Sequence, residues 1–309
     1  MIKRKRYLEA LVPFIDKPLI KAISGVRRCG KSTFLKQIID LLKERSIDEN
    51  QIIYINKELF EYDEIKDYKD LHQYISGVTS DAFRKFYVFV DEIQEIEQWE
   101  KTINSLLAEE KYDLYITGSN ARFLSSELAT FLAGRYVEFR MQTLVYSEFR
   151  DVLKENNSST KTDYFNLFLR YGGFPGIHHL ELNDLVIRQY LQSIYNTVLL
   201  KDVVLRNKIR DVPMLDSITK YLIDNCGNIT SATNISKFMK SQKRTVAVDT
   251  VLSYIRYLID AMIVMQVNPY DIKGKRYLEA NDKYFMGDIG FRYATLGYTP
   301  EAISGQLEN

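Results

Sequence analysis

The sequence predicts an α/β fold whose parallel sheet is built around a phosphate-binding loop, followed by a helical region that ends in three helices and a β-hairpin. Three stretches carry this reading. Residues 19–42 read as strand, glycine loop and helix, residues 86–90 are a continuous apolar run closed by two acids, and residues 213–286 show helical periodicity that gives way to two short strands.

In the first stretch, Leu19-Ile20-Lys21-Ala22-Ile23 reads as a buried strand, and residues 34–42 carry apolar side chains at helical spacing. Between them Gly25, Gly30, Lys31 and Ser32 fit the P-loop pattern G-x-x-x-x-G-K-[ST]. The glycines let backbone wrap closely around phosphate oxygens, and the helix N-terminus adds positive potential. Gly25, Val26, Arg27, Arg28, Cys29, Gly30, Lys31, Ser32 and Thr33 are therefore the expected nucleotide contacts. Lys31 would reach the β- and γ-phosphates of a nucleotide, and Ser32 would ligate Mg²⁺. The competing reading is a chance glycine turn before a helix; the strand before the loop and the helix after it, both of which the motif needs, favour the phosphate loop.

Ahead of this unit, residues 7–14 suggest a short helix stopped by Pro13 and Pro18. After it, residues 52–56 read as a second strand, and residues 71–78 as a helix. The run Phe86-Tyr87-Val88-Phe89-Val90 then looks like a strand buried on both faces, as in a parallel sheet. Ligands of such sheets lie beyond the carboxyl ends of the strands, which places Asp91 and Glu92 near the loop. Asp91 would hold Mg²⁺ through water as a Walker B acid, and Glu92 would act as general base toward the attacking water. An acidic pair after a strand is also an ordinary turn start; the P-loop upstream favours the functional reading.

A helix over residues 100–109 leads to a fourth strand, residues 113–117, tipped by Gly118, Ser119 and Asn120. Thr117, Ser119 and Asn120 are candidates to contact the γ-phosphate or the lytic water, or else serve turn chemistry. Residues 121–134 read as a helix closed by Gly134, and residues 136–141 as a fifth strand. Strand–helix alternation argues for an α/β sheet. The polar tract at 155–161 marks a border, Gly172-Gly173-Phe174-Pro175-Gly176 a rigid break, and residues 185–205 a long helix. Helices at 213–225, 235–239 and 248–259 precede strands at 262–267 and 284–286, the winged-helix pattern.

Composition sets outer limits. The chain has 309 residues, 46% hydrophobic and 27% charged, enough for a sizeable core. Its net charge of +1 gives no global pull toward nucleic acid, so any basic surface is local. Two cysteines, Cys29 and Cys226, cannot build a metal cluster and suit a reduced, cytoplasmic setting. No apolar run is long enough to span a bilayer, and the basic residues 3–6 are not followed by a signal core. The three histidines have no acidic partner at ligand spacing.

Taken together, residues 25–33, Val90-Asp91-Glu92-Ile93-Gln94, Thr117-Gly118-Ser119-Asn120, Leu132-Ala133-Gly134-Arg135, Gly172-Gly173-Phe174-Pro175 and residues 270–275 make the chain resemble the prokaryotic AAA-type ATPases that carry a C-terminal nuclease-like domain of unknown function. The resemblance implies an AAA+ P-loop core over residues 1–150, a helical lid over 151–210, a winged helix over 211–290, and ATP rather than GTP. Residues 291–309 resemble the entrance to the nuclease-like domain, so a truncated or naturally short member is expected, without nuclease chemistry. Arg135 takes the place of an arginine finger, which would act on a neighbouring subunit in a homo-oligomer. The alternative for Arg135 is an ion pair with Glu138 or a cap on the helix carbonyls.

The leading expectation is a Mg²⁺-dependent ATPase switch that moves a winged helix able to bind DNA. A DNA-binding regulator with ATP as a structural ligand, or a P-loop kinase of a small substrate, are the alternatives. The Asp91-Glu92 pair favours hydrolysis over transfer. Lys237, Lys240, Lys243 and Arg244, with Lys273, Lys275 and Arg276 in the hairpin loop, form the local basic excess that would meet DNA; a solvated or protein-docking face is the competing reading.

Overall fold

The computed structural model describes residues 2–79, 85–120, 134–156, 163–267 and 282–297. The expected helix at 121–134, the hairpin-loop cations Lys273, Lys275 and Arg276, and residues 298–309 therefore lie outside the described residues, Gly134 apart. The chain divides into two compact units, one of Met1–Gly25 with Gly30–Met141, the other of Val26–Cys29 with Gln142–Asn309.

The first unit holds a five-stranded parallel sheet in the order β2-β3-β4-β1-β5. Its strands are β1 (Ile20–Gly25), β2 (Ile52–Asn56), β3 (Phe86–Asp91), β4 (Tyr112–Gly118) and β5 (Tyr136–Met141). Among the described residues its helices are α1 (Lys5–Leu11), α2 (Lys31–Glu44), α3 (Tyr68–Val78) and α4 (Trp99–Ala108). The lead-in helix is shorter than expected because Pro13 falls in a 3-10 turn, Val12–Phe14, that closes it.

Every residue of β1, β3 and β4 is buried, as the apolar runs predicted. The twofold period of strands splits them between two faces. Ile20, Ala22, Val88, Val90, Leu114 and Ile116 join Ile75, Ile103 and Leu106 of α3 and α4 in one core layer. The alternate positions Phe89 and Tyr115 stack 4.5 Å apart on the opposite face. Asp91 and Thr117, two residues further along the same strands, continue that opposite face past the apolar layer. α2 packs on β1, β3 and β4.

The second unit contains α5 (Tyr146–Asn156), α6 (Tyr164–Tyr171) and α7 (Asp184–Thr197), the last running directly into a π-helix, Val198–Leu205. The periodicity over 185–205 is thus one apolar stretch with two helical pitches. There follow α8 (Val212–Asp224), β6 (Ile229–Thr230), α9 (Ala232–Ser241), α10 (Val248–Asp260), β7 (Val264–Val267), β8 (Asp282–Met286) and α11 (Gly290–Leu296). The three strands form an antiparallel sheet in the order β6-β8-β7.

The Gly172–Gly173 break has a structural purpose. Asp288 is fully buried, and its carboxylate accepts hydrogen bonds from Gly173 N (2.9 Å), Gly290 N (2.7 Å) and Thr143 Oγ1 (2.5 Å). A Cβ on Gly173 would come within 2.1 Å of the Leu144 carbonyl oxygen, so only glycine allows this approach. Burial pushes the Asp288 carboxyl up to about 6 against the pull of its three donors.

Candidate functional site

The loop after β1 is shaped by two left-handed residues, Arg28 at φ +70° and Gly30 at φ +103°. Successive residues of alternating hand turn amide groups inward into an anion-accepting concavity. A turn bond from Cys29 N to Val26 O (3.1 Å) closes its crown, and α2 begins immediately afterwards at Lys31. Ser32 is half-buried and Thr33 exposed on the first turn of α2. Cys29 is buried.

Lys31 is almost fully buried, with its side chain 3% exposed. Its ammonium donates to Gly25 O at 3.1 Å and lies 3.3 Å from Glu92 Oε1. Glu92 follows β3 in the left-handed conformation, φ +57° and ψ +49°. For a non-glycine residue that conformation costs roughly 1–2 kcal/mol, so the surroundings must hold it. They do so at both ends of the residue: Glu92 N donates to Thr117 Oγ1 (2.9 Å), and its Oε2 accepts from Ser119 Oγ (2.7 Å) and Gln94 Nε2 (2.5 Å).

Asp91 is completely buried. Its Oδ1 accepts from Thr117 Oγ1 (2.5 Å) and its Oδ2 from Tyr54 OH (3.1 Å). The Tyr54 phenol is pushed well above its ordinary value by burial first and by the adjacent Asp91 charge second, so it stays a donor at any physiological pH. Asn120 is buried just past the end of β4.

Of the residues expected to act together, the structure gathers Gly25, Gly30, Lys31, Asp91, Glu92, Thr117, Ser119 and Asn120 at the carboxyl ends of β1, β3 and β4. Thr117 bridges the two acids, and Ser119 holds the Glu92 carboxylate. Arg135 is not brought there. It is exposed, and its carbonyl accepts from Ile20 N at the opposite end of the sheet, where β1 and β5 begin. The six residues of β5 put about 20 Å between that end and the loop edge. Arg135 does not pair with Glu138, whose carboxylate instead accepts from Ser24 Oγ at 2.5 Å. Tyr54 and Gln94 are site residues that sequence reasoning missed; the available signals were a tyrosine two positions before the end of β2 and a glutamine two positions after Glu92.

Hard oxygen donors suit Mg²⁺, which is typically held by one or two carboxylates together with substrate phosphates. The Asp91 carboxylate and the Ser32 hydroxyl are such donors. Among the described residues no group of three or more His, Cys, Asp or Glu side chains could hold a metal without further ligands. The donor set therefore fits a Mg²⁺ that arrives with a nucleotide, not a resident all-protein metal site.

A parallel sheet in this order, with a phosphate loop after β1 and a buried acid at the end of β3, defines the class as an AAA-type P-loop ATPase fold. Residues 17–150 match the family model described as AAA domain, and residues 162–302 one described as a domain of unknown function. An uncharacterized protein of Haemophilus influenzae is 36% identical over 310 residues, covering all of this chain and 77% of its own length, and the chain belongs to the same family as that protein. An uncharacterized protein of Methanocaldococcus jannaschii is 29% identical over 83% of this chain and 58% of its own length. In fold the chain is similar to a Walker-type ATPase of Pyrococcus abyssi, with a TM-score of 0.63 over 96% of both chains at 15% identity. No helix of the described residues is long and apolar enough to cross a membrane.

Proposed function

We propose that the chain binds ATP with Mg²⁺ at the P-loop, hydrolyses it, and uses the nucleotide cycle to move a DNA-binding winged helix. The observation that carries the proposal is the buried Lys31–Glu92 pair beside Asp91. A cation and two acids withdrawn from water at the mouth of a phosphate loop are costly unless used or paired, and hydrolysis would give each of them a role. The loop amides from Val26 to Thr33 would receive the phosphates, and Lys31 would exchange Glu92 for the terminal phosphate oxygens. Glu92, released from Lys31 but still held by Ser119 and Gln94, would then accept a proton from the attacking water. Ser32 and Asp91 would hold the Mg²⁺, which neutralises charge on the phosphates when bound. Thr117 keeps both acids in place, and Asn120 stands where it could contact the γ-phosphate or the water. Arg135, too far from its own loop, would serve the site of a neighbouring copy in a homo-oligomer.

Residues 151–210 would form the helical lid. Residues 211–290 would form the winged helix; the order helix, short strand, two helices and an antiparallel strand pair among its described residues supports this. Lys237, Lys240, Lys243 and Arg244 are all exposed on α9 and the turn that follows, which supports duplex DNA as the partner. The test is phosphate release with and without duplex DNA, with Lys31→Ala as the control. Turnover by the wild type that Lys31→Ala abolishes is expected; turnover unchanged by Lys31→Ala would overturn the site. Turnover insensitive to DNA, together with absent DNA binding at low salt, would remove the DNA limb.

A further inference from the structure

The crown of the phosphate loop, Val26–Cys29, groups with the second unit, whereas Gly25 and Gly30 at its two ends group with the sheet. Within that second unit the crown is tied by one ion pair. Arg27 Nε and Nη2 each donate to one carboxylate oxygen of Asp202, both at 3.2 Å, in a two-pronged fork. Asp202 lies in the π-helix Val198–Leu205, among the buried Val198, Leu199, Val203 and Val204, and its side chain is 2% exposed. A carboxylate in an apolar helical run is expensive without a paired cation. π-Helical turns are rare and frequently occur at functional sites. Arg27 is less buried, at 14% exposure, and lies between the first loop glycine and the left-handed Arg28.

We propose that Asp202 is a positioning residue for the nucleotide site: through the Arg27 fork it holds the loop crown in the curvature that presents its amides to phosphate. This rests on the ATP reading above. Arg27 belongs to the loop that would receive the phosphates, so a change in the crown that draws Arg27 away strains or breaks its pair with a buried carboxylate. Phosphate therefore meets a loop already ordered, and the ordering entropy is not charged to nucleotide binding. The fork geometry matters, because only a guanidinium can engage both carboxylate oxygens from one planar group.

The test measures ATP affinity by calorimetry for wild type, Asp202→Asn, Asp202→Glu, Arg27→Ala, Arg27→Lys and the double variant Arg27→Ala with Asp202→Asn. Asp202→Asn and Arg27→Ala should each weaken ATP by about 5–150-fold, the usual range for coupled sites. The double variant should be no weaker than either single one. Asp202→Glu should keep part of the affinity, and Arg27→Lys little of it. In turnover, KM should rise while kcat holds within about twofold, since only binding is pre-paid. If Asp202→Asn does not fold, Arg27→Ala changes the same pair from its more exposed side and carries the test. Folded variants that bind ATP as tightly as wild type, or more tightly, would overturn the positioning role alone, as would losses that multiply in the double variant. A wild type that binds no ATP would overturn the nucleotide reading and this inference with it.

Discussion

Glu92→Gln separates binding from chemistry in a way set by the Lys31–Glu92 geometry. In the structure the two charges are 3.3 Å apart, with side chains only 3% and 7% exposed. Incoming phosphates must take Lys31 away from Glu92, so part of the phosphate–lysine attraction is spent on breaking the existing pair. A hydrogen bond to a charged group is worth about 1.5–3 kcal/mol net. With glutamine at position 92 the competitor becomes neutral and most of that cost disappears. At about 1.4 kcal/mol per decade, ATP should bind roughly 10- to 100-fold more tightly. The amide oxygen can still accept from Ser119 and Gln94, so the side chain should stay in place. Turnover should fall by about 10²–10⁴, because the amide cannot take a proton from water. Equilibrium calorimetry reads the first effect and single-turnover phosphate release the second. Unchanged or weaker affinity would refute the ion-pair competition, and a wild-type hydrolysis rate would place the general base elsewhere.

Three further outcomes are expected. Arg135→Ala should leave affinity intact and lower turnover by about 10³–10⁵ if the residue acts in trans; mixing it with Lys31→Ala subunits should restore part of the activity, and no restoration in demonstrably mixed assemblies would leave Arg135 a surface residue. Neutralising Lys243 and Arg244 should weaken duplex DNA binding and flatten its salt slope by about one to two units, measured across a salt series. Asp288 has its folded carboxyl raised from 3.8 to about 6, so the folded state binds the extra proton between those values. This group's contribution is fully present below 3.8 and is lost as pH rises through 6, about 3 kcal/mol over the whole interval. In Asp288→Asn that component of the pH dependence should vanish from denaturant midpoints taken between pH 4 and 7, and a slope identical to wild type would show that another group titrates.

The sheet strands and the loop were legible because their signals are local. Apolar runs of five or six residues mark buried strands, and the spacing of Gly25, Gly30 and Lys31 needs no knowledge of the rest of the chain. The Asp91-Glu92 pair was legible as a position and much less so as an arrangement. That Thr117 bridges the two acids, that Ser119 holds Glu92 and that Tyr54 reaches Asp91 depends on β2, β3 and β4 lying side by side, an order no single stretch encodes. The Arg27–Asp202 fork joins residues 175 positions apart, and Asp202 lay hidden in what read as an ordinary apolar helix. The Gly172–Gly173 break announced a turn but not the carboxylate of Asp288 that it receives.

Lys21 and Asp113 show how charges invisible to hydropathy can set the site. Both are buried in strands that read as apolar, and Lys21 donates to Asp113. Tyr115 OH (2.8 Å) and Asp16 N (3.0 Å) donate to the other Asp113 oxygen, and Tyr87 OH donates to Asp16 at 2.9 Å. Burial lowers the Lys21 pKa, with the neighbouring Asp113 acting against that fall. Such a pair is weak as a source of net stability, but leaving one partner buried alone costs about 3–5 kcal/mol. A one-residue slip of β1 against β4 would turn Lys21 to the other face of the sheet and impose that cost. The pair therefore penalises the one-residue slips to either side of the observed register, in which Lys21 lies opposite Tyr115 and Ser24 opposite Gly118. That register carries the start of the phosphate loop alongside Thr117, Ser119 and Asn120. A buried ion pair at the far end of two strands thus aligns the groups that hold Asp91 and Glu92 with the lysine they face.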